Sequence, residues 1–291
     1  MSIAFGPAGN ADSFAAAGYK SSQDAPEYLS AMGLTAYEYQ CGNGVTVKEK
    51  GARSIGENAG RFGVRLSIHA PYYISMSGED DEKRLGSLRY FLQCGEVAKF
   101  MGAKRVVYHP GGLGKYGREE ALARSKDTLK YVIGEMDRAG YGEISLCPEV
   151  MGKINQVGTL EEVLDMCSLD ERLIPCVDFG HLNARTMGSL KTRADFERVF
   201  DVMENAIGSE RTSKLHIHFS KIQYGKGGEI RHLTLDNKEY GPEFPFLAEA
   251  LARRGYEPTV ICESSGTQAE DAKTMMEIYE EKKKLLSQSA E

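Results

Sequence analysis

The sequence predicts an α/β fold, a (β/α)8 TIM barrel that forms a single domain over residues 1–291. Eight short β-rich segments recur along the chain, and amphipathic helical segments separate them at intervals of about 30 to 45 residues. Strands that alternate with helices in this way form a parallel sheet, and eight such units in a chain of this length suit one closed barrel. No low-complexity linker divides the chain into parts.

The eight predicted strands begin near residues 2, 35, 64, 104, 143, 173, 214 and 258. In order they read SIAFGPAG, TAYEYQ, VRLSIHAP, KRVVYHPG, EISLCPEV, LIPCVDFGH, KLHIHFS and PTVICESS. Two helix starts carry the capping-box pattern, TLEE from Thr159 and TQAE from Thr267, in which a hydroxyl and a carboxylate bind free backbone amides reciprocally.

One connection is longer than the others. Residues 220–242 follow the seventh strand and read SKIQYGKGGEIRHLTLDNKEYGP, a polar and glycine-rich stretch. Long loops in compact domains are usually functional or disordered. We expect a functional loop because it carries ionisable side chains, among them Lys221, Lys226, Glu229, Arg231 and His232.

The overall charge is acidic, with a formal net charge of −6. Contact with a polyanion therefore needs a local basic surface or bound metal ions. The first residues, MSIAFGPAGN, lack the basic and apolar regions of a signal peptide, and no apolar run approaches the roughly 20 residues that span a bilayer. We expect a cytoplasmic protein without membrane contact and without an obligatory protein partner.

The cysteines predict buried thiols. None of the six forms a CxxC pair, and several lie within apolar runs. In a reducing compartment such residues pack in the core, so we predict neither disulfides nor a cysteine–zinc site among Cys41, Cys94, Cys147, Cys167, Cys176 and Cys262.

The predicted strands end on potential metal ligands. The carboxyl ends of barrel strands meet on one face, and here they carry, in order, His69, His109, Glu149, Asp178 with His181, His218 and Glu263. Each residue alone fits a structural hydrogen bond or a helix cap. Acids gathered on one face repel each other unless cations lie among them, so the set predicts bound divalent metal. The mixture of ligands favours zinc, with manganese as an alternative for a subset.

The seventh strand shows which of two histidines is the better ligand. His216 and His218 in KLHIHFS are two residues apart and share one face of the strand. His218 lies nearer the carboxyl end, where the ligands gather. We predict that His216 points into the barrel one layer deeper.

On these residues the chain resembles the apurinic/apyrimidinic endonucleases of the endonuclease IV type, which are (β/α)8 barrels with three zinc ions at the carboxyl-terminal face. The resemblance runs from the third strand to the eighth. It implies that His69 in SIHAPYY and His109 in VVYHPGG bind the first zinc, and that Glu149 in CPEV bridges the first and second zincs.

The same resemblance assigns the remaining residues. The second zinc is completed by Asp178 in VDFGH, by His218 and by Glu263 in CESS. It further implies that His181 binds the third zinc and that Tyr72 lies beside the site.

Two segments depart from the family pattern. The family completes its third zinc with an Asp-x-His pair after strand seven, whereas GGEIRHLTL here offers Glu229 and His232, one residue further apart. The loop after strand two carries an arginine in the family and enters the DNA duplex, whereas no arginine lies between Tyr39 and Ala52 here.

The resemblance implies a zinc-dependent phosphodiesterase that hydrolyses DNA at abasic sites with two to three zinc ions. Glu149 and Glu263 are the implied catalytic residues, because the first bridges two zincs and the second orients a hydroxide held between them. The candidate substrate contacts are Tyr72, Lys221 and Arg231, although loop charges of this kind serve solubility equally well.

Two other hypotheses stay open. Sugar isomerases and epimerases of the xylose isomerase-like type share this barrel, act on a small sugar and bind one divalent ion through a tetrad that resembles Glu149, Asp178, His218 and Glu263. Three histidines discriminate between the classes, because a single-metal isomerase has no necessary role for His69, His109 and His232. The other hypothesis is a metal-binding barrel that has no activity and serves as a binding or regulatory protein.

Overall fold

The computed structural model describes residues 2–288, which form the predicted barrel. Every barrel strand lies within one of the eight predicted segments. The strands are β1 (Ala4–Pro7), β2 (Ala36–Gln40), β3 (Arg65–His69), β4 (Arg105–Tyr108), β5 (Ser145–Pro148), β6 (Cys176–Asp178), β7 (His216–Phe219) and β10 (Thr259–Cys262).

The strands are parallel and form two half-barrels. One half has the order β1-β10-β7-β6, and the other has the order β2-β3-β4-β5. Single parallel bridges join the halves on both sides, between Ala8 and Glu38 and between Glu149 and Cys176. The barrel is therefore closed, and all eight strands point their carboxyl ends at the same face.

Helices surround the barrel. They are α1 (Asp12–Ala16), α2 (Ala25–Ala31) after a 3-10 turn (Ser22–Asp24), α3 (Glu49–Phe62), α4 (Asp81–Leu85), α5 (Leu88–Met101), α6 (Arg118–Arg138), α7 (Leu160–Cys167), α8 (Phe179–Arg185), α9 (Arg193–Ile207), α10 (Ser209–Ser213), α11 (Phe244–Arg254) and α12 (Gln268–Gln288). None of the helices in residues 2–288 has the length and apolarity that a bilayer crossing needs.

The two predicted capping boxes differ. At the start of α7 the Thr159 hydroxyl accepts from the Glu162 amide at 3.2 Å, and the Glu162 carboxylate accepts from the Thr159 amide at 2.9 Å, so this box is confirmed. At the start of α12 the Thr267 hydroxyl donates instead to Asp271 at 3.1 Å. The Asp271 carboxylate therefore binds the hydroxyl that a capping box would direct at the backbone amide of Glu270.

The apolar core lies between the strands and the helices. It includes fully buried aromatic side chains such as Phe91, Phe196 and Phe219. All six cysteines are buried, as predicted. Cys176 nevertheless lies with His216 and His218 in one group whose ligand atoms could hold a metal ion. The barrel interior is different, because it combines small side chains such as Ala36 with buried polar groups such as Glu38, Ser67 and His216.

Arginines close the end of the barrel where the strands begin. Arg65, the first residue of β3, donates to the Thr259 hydroxyl at 2.8 Å and to the Ser2 carbonyl at 3.0 Å. Arg105, the first residue of β4, donates to the Leu215 carbonyl at 3.2 Å. Arg211 on α10 donates to the carbonyl of Cys167 at 2.9 Å and also to that of Leu173. These bonds tie neighbouring segments together through neutral acceptors.

The long connection after β7 is an ordered hairpin, whereas the sequence predicted a loop. Strands β8 (Lys221–Gly225) and β9 (Gly228–Leu233) pair antiparallel. Arg231 pairs with Gln223 and Glu229 pairs with Tyr224, so Ile230 has no partner on β8. This is a β-bulge, in which one strand contains an extra residue.

The hairpin also pairs with the loop after β5. Lys153 forms an antiparallel bridge with Gly228, and the Glu229 amide donates to the Gly152 carbonyl at 3.2 Å. Arg185 on α8 holds the same loop from beneath, with bonds of 2.9 Å to the carbonyls of Met151 and Lys153. The hairpin and this loop therefore form one wall over the carboxyl ends of the strands.

Candidate metal centre

The described residues contain four groups of potential metal ligands. Three of them meet at the carboxyl ends of the strands, and the fourth, Cys176 with His216 and His218, lies one layer deeper in the barrel. In each group, one ligand atom of every residue lies within 4.8 Å of the others, which is close enough for a single cation to bind them all. The three groups at the strand ends are His69 with His109 and Glu149; Glu149 with Asp178, His218 and Glu263; and His181 with Glu229 and His232. The structure thus brings together all nine ligands predicted from the sequence.

The first group is built on the ends of β3, β4 and β5. His69 Nε2 lies 3.2 Å from Glu149 Oε2, and His109 Nε2 lies 3.3 Å from the same oxygen. His69 Nδ1 donates to the Ala70 carbonyl at 2.8 Å. This bond keeps a proton on Nδ1 and orients the ring, so Nε2, which contacts Glu149, is the nitrogen that would bind a cation.

The second group uses the other oxygen of the same glutamate. Glu149 Oε1 lies 3.4 Å from His218 Nδ1, and Glu263 Oε1 lies 3.4 Å from the same nitrogen. His218 comes from the end of β7 and Glu263 follows β10, two strands that are neighbours in the sheet. Glu149 therefore belongs to both groups, with one oxygen in each.

Asp178 has two roles at the end of β6. Its Oδ1 accepts from the His181 amide at 2.7 Å and so caps the first turn of α8. Its Oδ2 is buried without a hydrogen-bond partner. A helix cap and a metal ligand are alternatives in the sequence, but here Oδ1 caps the helix and Oδ2 is still able to bind a cation.

The third group joins α8 to the hairpin. His181 Nε2 lies 3.3 Å from Glu229 Oε2, and His232 Nε2 lies 4.0 Å from Glu229 Oε1. In a regular strand, residues three apart face opposite sides. The bulge at Ile230 turns the strand by one extra residue, so Glu229 and His232 face the same side.

The donor set fits divalent cations. His218 Nδ1 and Asp178 Oδ2 are buried and lack hydrogen-bond partners, and both residues belong to the second group. Unsatisfied buried polar atoms are rare because they are costly, and a cation would satisfy both. Imidazole nitrogens combined with carboxylate oxygens suit zinc, while the carboxylate-rich second group also suits manganese.

The pKa values of the grouped side chains show how strongly their charges interact. Burial raises the pKa of Asp178 to about 7. Burial also disfavours the Glu149 carboxylate, but hydrogen bonds from His109, His181 and His218 hold its pKa well below the usual value. Although burial lowers the pKa of His181, Asp178 and Glu149 raise it to about 10. Without a metal, protons on histidine balance the acids, and a cation would take the place of those protons.

Comparisons with known proteins place this geometry in a family. The family model described as xylose isomerase-like TIM barrel matches residues 26–284. The chain belongs to the xylose isomerase-like TIM barrel family. The predicted fold is confirmed.

Two relatives illustrate the range of similarity. The uncharacterized protein MJ0133 of Methanocaldococcus jannaschii is 32% identical over 259 residues, which cover 88% of this chain and 91% of that protein. A probable endonuclease 4 of Shouchella clausii is 27% identical over 215 residues, which cover 69% of each chain.

Two solved structures share the fold. A D-tagatose 3-epimerase-like protein superposes with a TM-score of 0.68 and 22% identity, covering 89% of this chain and 91% of its own. Endonuclease IV from Thermus thermophilus superposes with a TM-score of 0.62 and 20% identity, covering 90% of this chain and 93% of its own. At these identities the likeness establishes the barrel and leaves the substrate open.

In this member of the xylose isomerase-like TIM barrel family, a pocket of about 420 Å³ lies over the three groups. Tyr72 lines it, with 56% of its surface exposed and its ring 5.5 Å from that of His109. The side chains of Met151, Lys153 and Gln156, from the loop after β5, also line the pocket. The sequence analysis missed these three because it considered only strand ends and the long connection.

The other two predicted substrate contacts lie elsewhere. Lys221 is buried, and its ammonium donates to the Asn237 carbonyl at 2.7 Å and to Glu243 at 2.6 Å, so it supports the hairpin from behind and does not line the pocket. Arg231 is exposed on β9 and donates to Gln223 at 2.8 Å. These positions correct the expectation for Lys221 and leave Arg231 outside the pocket lining.

Glu38 is the buried residue that the sequence analysis overlooked. It lies within β2, fully buried, and contacts both His216 and His218 at 3.0 Å. Its only sequence signal is a carboxylate at an inward position of the strand AYEYQ, between two tyrosines. His216 lies one layer below His218, as predicted.

Proposed function

We propose that this protein is a zinc-dependent phosphodiesterase of the endonuclease IV type, which hydrolyses the DNA backbone at abasic sites. One observation carries the proposal: three groups of metal ligands meet beneath a single pocket, and Glu149 links two of them. Sites with two or more adjacent metals suit phosphodiester hydrolysis, since charge develops on both the attacking and the leaving oxygen.

The single-metal alternative leaves most of these residues without a role. A sugar isomerase needs only the second group, formed by Glu149, Asp178, His218 and Glu263. The first and third groups contribute His69, His109, Glu229 and His232, and these side chains face the same pocket. Their shared position favours the hydrolase.

Zinc bound in these groups would supply positive charge for a phosphodiester and lower the pKa of bound water toward about 7. Glu149 fixes the spacing of the first two groups because each of its oxygens faces one of them. Glu263 directs Oε1 at His218, while its Oε2 lies 3.9 Å from His232, between the second and third groups. From there Oε2 can accept a hydrogen bond from an attacking water molecule and orient it.

The remaining pocket side chains suit a charged, aromatic substrate. Lys153 offers an exposed ammonium group, and its backbone is held by the bridge to Gly228 and by Arg185. Tyr72 offers an exposed ring for stacking. Together they give a local contact for phosphate and base on a chain whose net charge is −6. The likeness to a probable endonuclease 4 over 69% of each chain supports the same substrate.

A sugar epimerase is the second candidate. The second group alone corresponds to the single-metal tetrad, and a D-tagatose 3-epimerase-like protein superposes with the higher TM-score of 0.68, against 0.62 for endonuclease IV. A small sugar would then be the substrate, and two of the carboxylates would move protons on it.

Metal stoichiometry is the first test. The protein is purified without chelators or a histidine tag and its metals are counted by elemental analysis. Two to three zinc ions per chain support the proposal, and a single exchangeable manganese, cobalt or magnesium ion contradicts it. The metal-loaded protein is then given a duplex with one abasic site, and the intact duplex serves as control. We expect a cut at the abasic site that leaves a 3′-hydroxyl, which a DNA polymerase can extend.

His109→Asn separates the two enzyme classes. His109 belongs to the first group only, so the change should remove phosphodiesterase activity and leave a single-metal epimerase intact. Epimerisation of a ketose by both proteins would favour the second candidate. Inertness of the fully loaded protein in both assays would point to a binding or regulatory role.

A further inference from the structure

The carboxylate of Glu38 lies at the centre of the barrel, beneath the second metal group. Glu38 sits on β2, in register with Ser67 on β3, and none of its surface is exposed. It belongs to none of the groups that could hold a metal ion. A buried carboxylate destabilises a fold unless its partners compensate, and apolar residues of similar size are often better for stability alone. The buried carboxylate of Glu38 therefore indicates a role other than packing.

Four side chains surround the two oxygens of Glu38. Oε2 accepts from the Ser67 hydroxyl at 2.9 Å and from His216 Nε2 at 3.0 Å. Oε1 accepts from the side-chain amide of Gln40 (Nε2) at 3.2 Å and lies 3.0 Å from His218 Nε2. The carboxylate is thus fixed on three sides, and its fourth contact is a metal ligand.

The positions of the ring protons follow from Arg105, which contacts the His216 nitrogen that does not face Glu38. Arg105 Nη1 lies 3.4 Å from His216 Nδ1, and a guanidinium can only donate, so His216 Nδ1 is the acceptor. The His216 proton is then on Nε2, from which it is donated to Glu38. Glu38 is left as an acceptor for His218 Nε2.

His218 has its two ring nitrogens in different surroundings. Nε2 faces Glu38, while Nδ1 lies 3.4 Å from both Glu149 and Glu263. Neither nitrogen makes an aligned hydrogen bond. A proton on Nε2 leaves the Nδ1 lone pair directed at the second group, which is the form that a cation requires.

We infer that Glu38 is a positioning residue, which holds the proton of His218 on Nε2 and turns Nδ1 toward the second metal group. Carboxylates that accept from the second nitrogen of a metal-binding histidine fix its tautomer and raise its basicity. The inference concerns metal binding by the barrel and holds for either enzyme class. It therefore stands or falls separately from the proposed substrate.

Glu38→Gln tests this role, because it retains the size of the side chain and removes its charge. We expect the zinc affinity of the second group to fall by about 10- to 100-fold, with little change in the first and third groups. Competition with a chromophoric chelator measures the affinity, and anomalous diffraction at the zinc edge measures the occupancy of each group. The absorption spectrum of the cobalt-substituted protein reports the loss of one nitrogen ligand.

Ser67→Ala is the second variant, in case Glu38→Gln does not fold. It removes one bond that fixes the carboxylate and should weaken the second group about fivefold. The matched control is Thr212→Val, which removes a buried 2.8 Å hydroxyl bond to the Gly208 carbonyl at the opposite end of the barrel. It should leave zinc binding unchanged.

Three outcomes would overturn the inference: zinc affinity within twofold of the parent in the variants that fold, an equal loss from all three groups, or the same loss in Thr212→Val. Abasic-site cleavage is measured separately. A protein that binds zinc as expected but cuts no DNA would contradict the proposed function and leave the role of Glu38 intact.

Discussion

The two ends of the barrel satisfy their polar groups in opposite ways. At the end where strands begin, Arg65, Arg105 and Arg211 donate to backbone carbonyls and a hydroxyl, which are neutral and fixed acceptors. At the end where strands finish, histidines and carboxylates face each other, and His218 Nδ1 and Asp178 Oδ2 remain without partners. The first end therefore pairs cationic donors with neutral acceptors, whereas the second end gathers ionisable groups that could bind a cation.

This difference separates stability from function within one sheet. Bonds at the first end join segments that are distant in sequence, so their loss should loosen the fold without affecting metal. The second end gathers five acids and all six histidines of the chain in or directly beneath one site. That arrangement costs stability unless cations enter it, which is the usual division of roles between the two faces of such barrels.

Glu149→Gln should have the largest effect, because it removes the carboxylate shared by the first and second groups. We expect a loss of turnover on abasic DNA of about 10³-fold or more, since the shared charge is worth several kcal/mol. Single-turnover cleavage and elemental analysis measure it. Glu161→Gln, the same change at an exposed position of α7, is the control. Near-normal turnover in Glu149→Gln would remove the two-metal mechanism.

His232→Ala should affect the third group alone. We expect the metal content to fall by one ion and cleavage to slow at least about tenfold, while the first two groups stay loaded. Lys226→Ala, at the exposed turn of the hairpin, should leave the metal content unchanged. If His232→Ala retains every metal ion, the hairpin does not complete a third site.

Arg211→Met tests the opposite end. The variant loses the donor to the Cys167 and Leu173 carbonyls, so the free energy of unfolding should fall by about 2 kcal/mol. Urea unfolding measures it, with Arg198→Met as the exposed control. Zinc content should be the same in all three proteins. Loss of zinc from Arg211→Met would show that the two ends are coupled.

Arg172→Gln should have the smallest effect, and it should depend on pH. Hydrogen bonds from Arg172 lower the pKa of Asp170 and of Asp137 near the same end. Carboxyl groups with lowered pKa values stabilise the fold at any pH above their unfolded pKa of about 4. This contribution is lost as the pH falls through their pKa values in the folded protein. Since Arg172 and its two carboxylate partners are partly exposed, the free energy of unfolding at pH 7 should fall by less than about 1 kcal/mol. Urea midpoints at pH 7 and pH 3 measure it, and an equal difference at both would contradict this origin.

The strands and the ligands at their ends were predictable because both follow from local pattern. Parallel strands in a closed barrel share one direction, so His69, His109 and Glu149 had to converge once the strands were identified. The capping pattern at Thr159 was equally local. Nothing beyond the order of residues was needed for these features.

Other features depend on contacts that sequence spacing does not encode. Glu38 lies below the strand ends, and its partners His216 and His218 come from the other half-barrel, about 180 positions away in the chain. The hairpin was mistaken for a loop because its glycine-rich strands lack a regular alternation. Lys221 was predicted to contact the substrate, but it is buried against Asn237 and Glu243. These contacts arise from tertiary packing, which the local sequence does not encode.

The bulge at Ile230 bears on how such a site can change over generations. An inserted residue between two ligands ordinarily turns the second ligand away and destroys the motif. Here the bulge accommodates the extra residue, and the side chain of Glu229 reaches His181. Deletion of Ile230 together with Glu229→Asp would restore the shorter Asp-x-His spacing of the endonuclease IV type. The two spacings therefore differ by one deletion and one conservative substitution, and a carboxylate and a histidine are present in both.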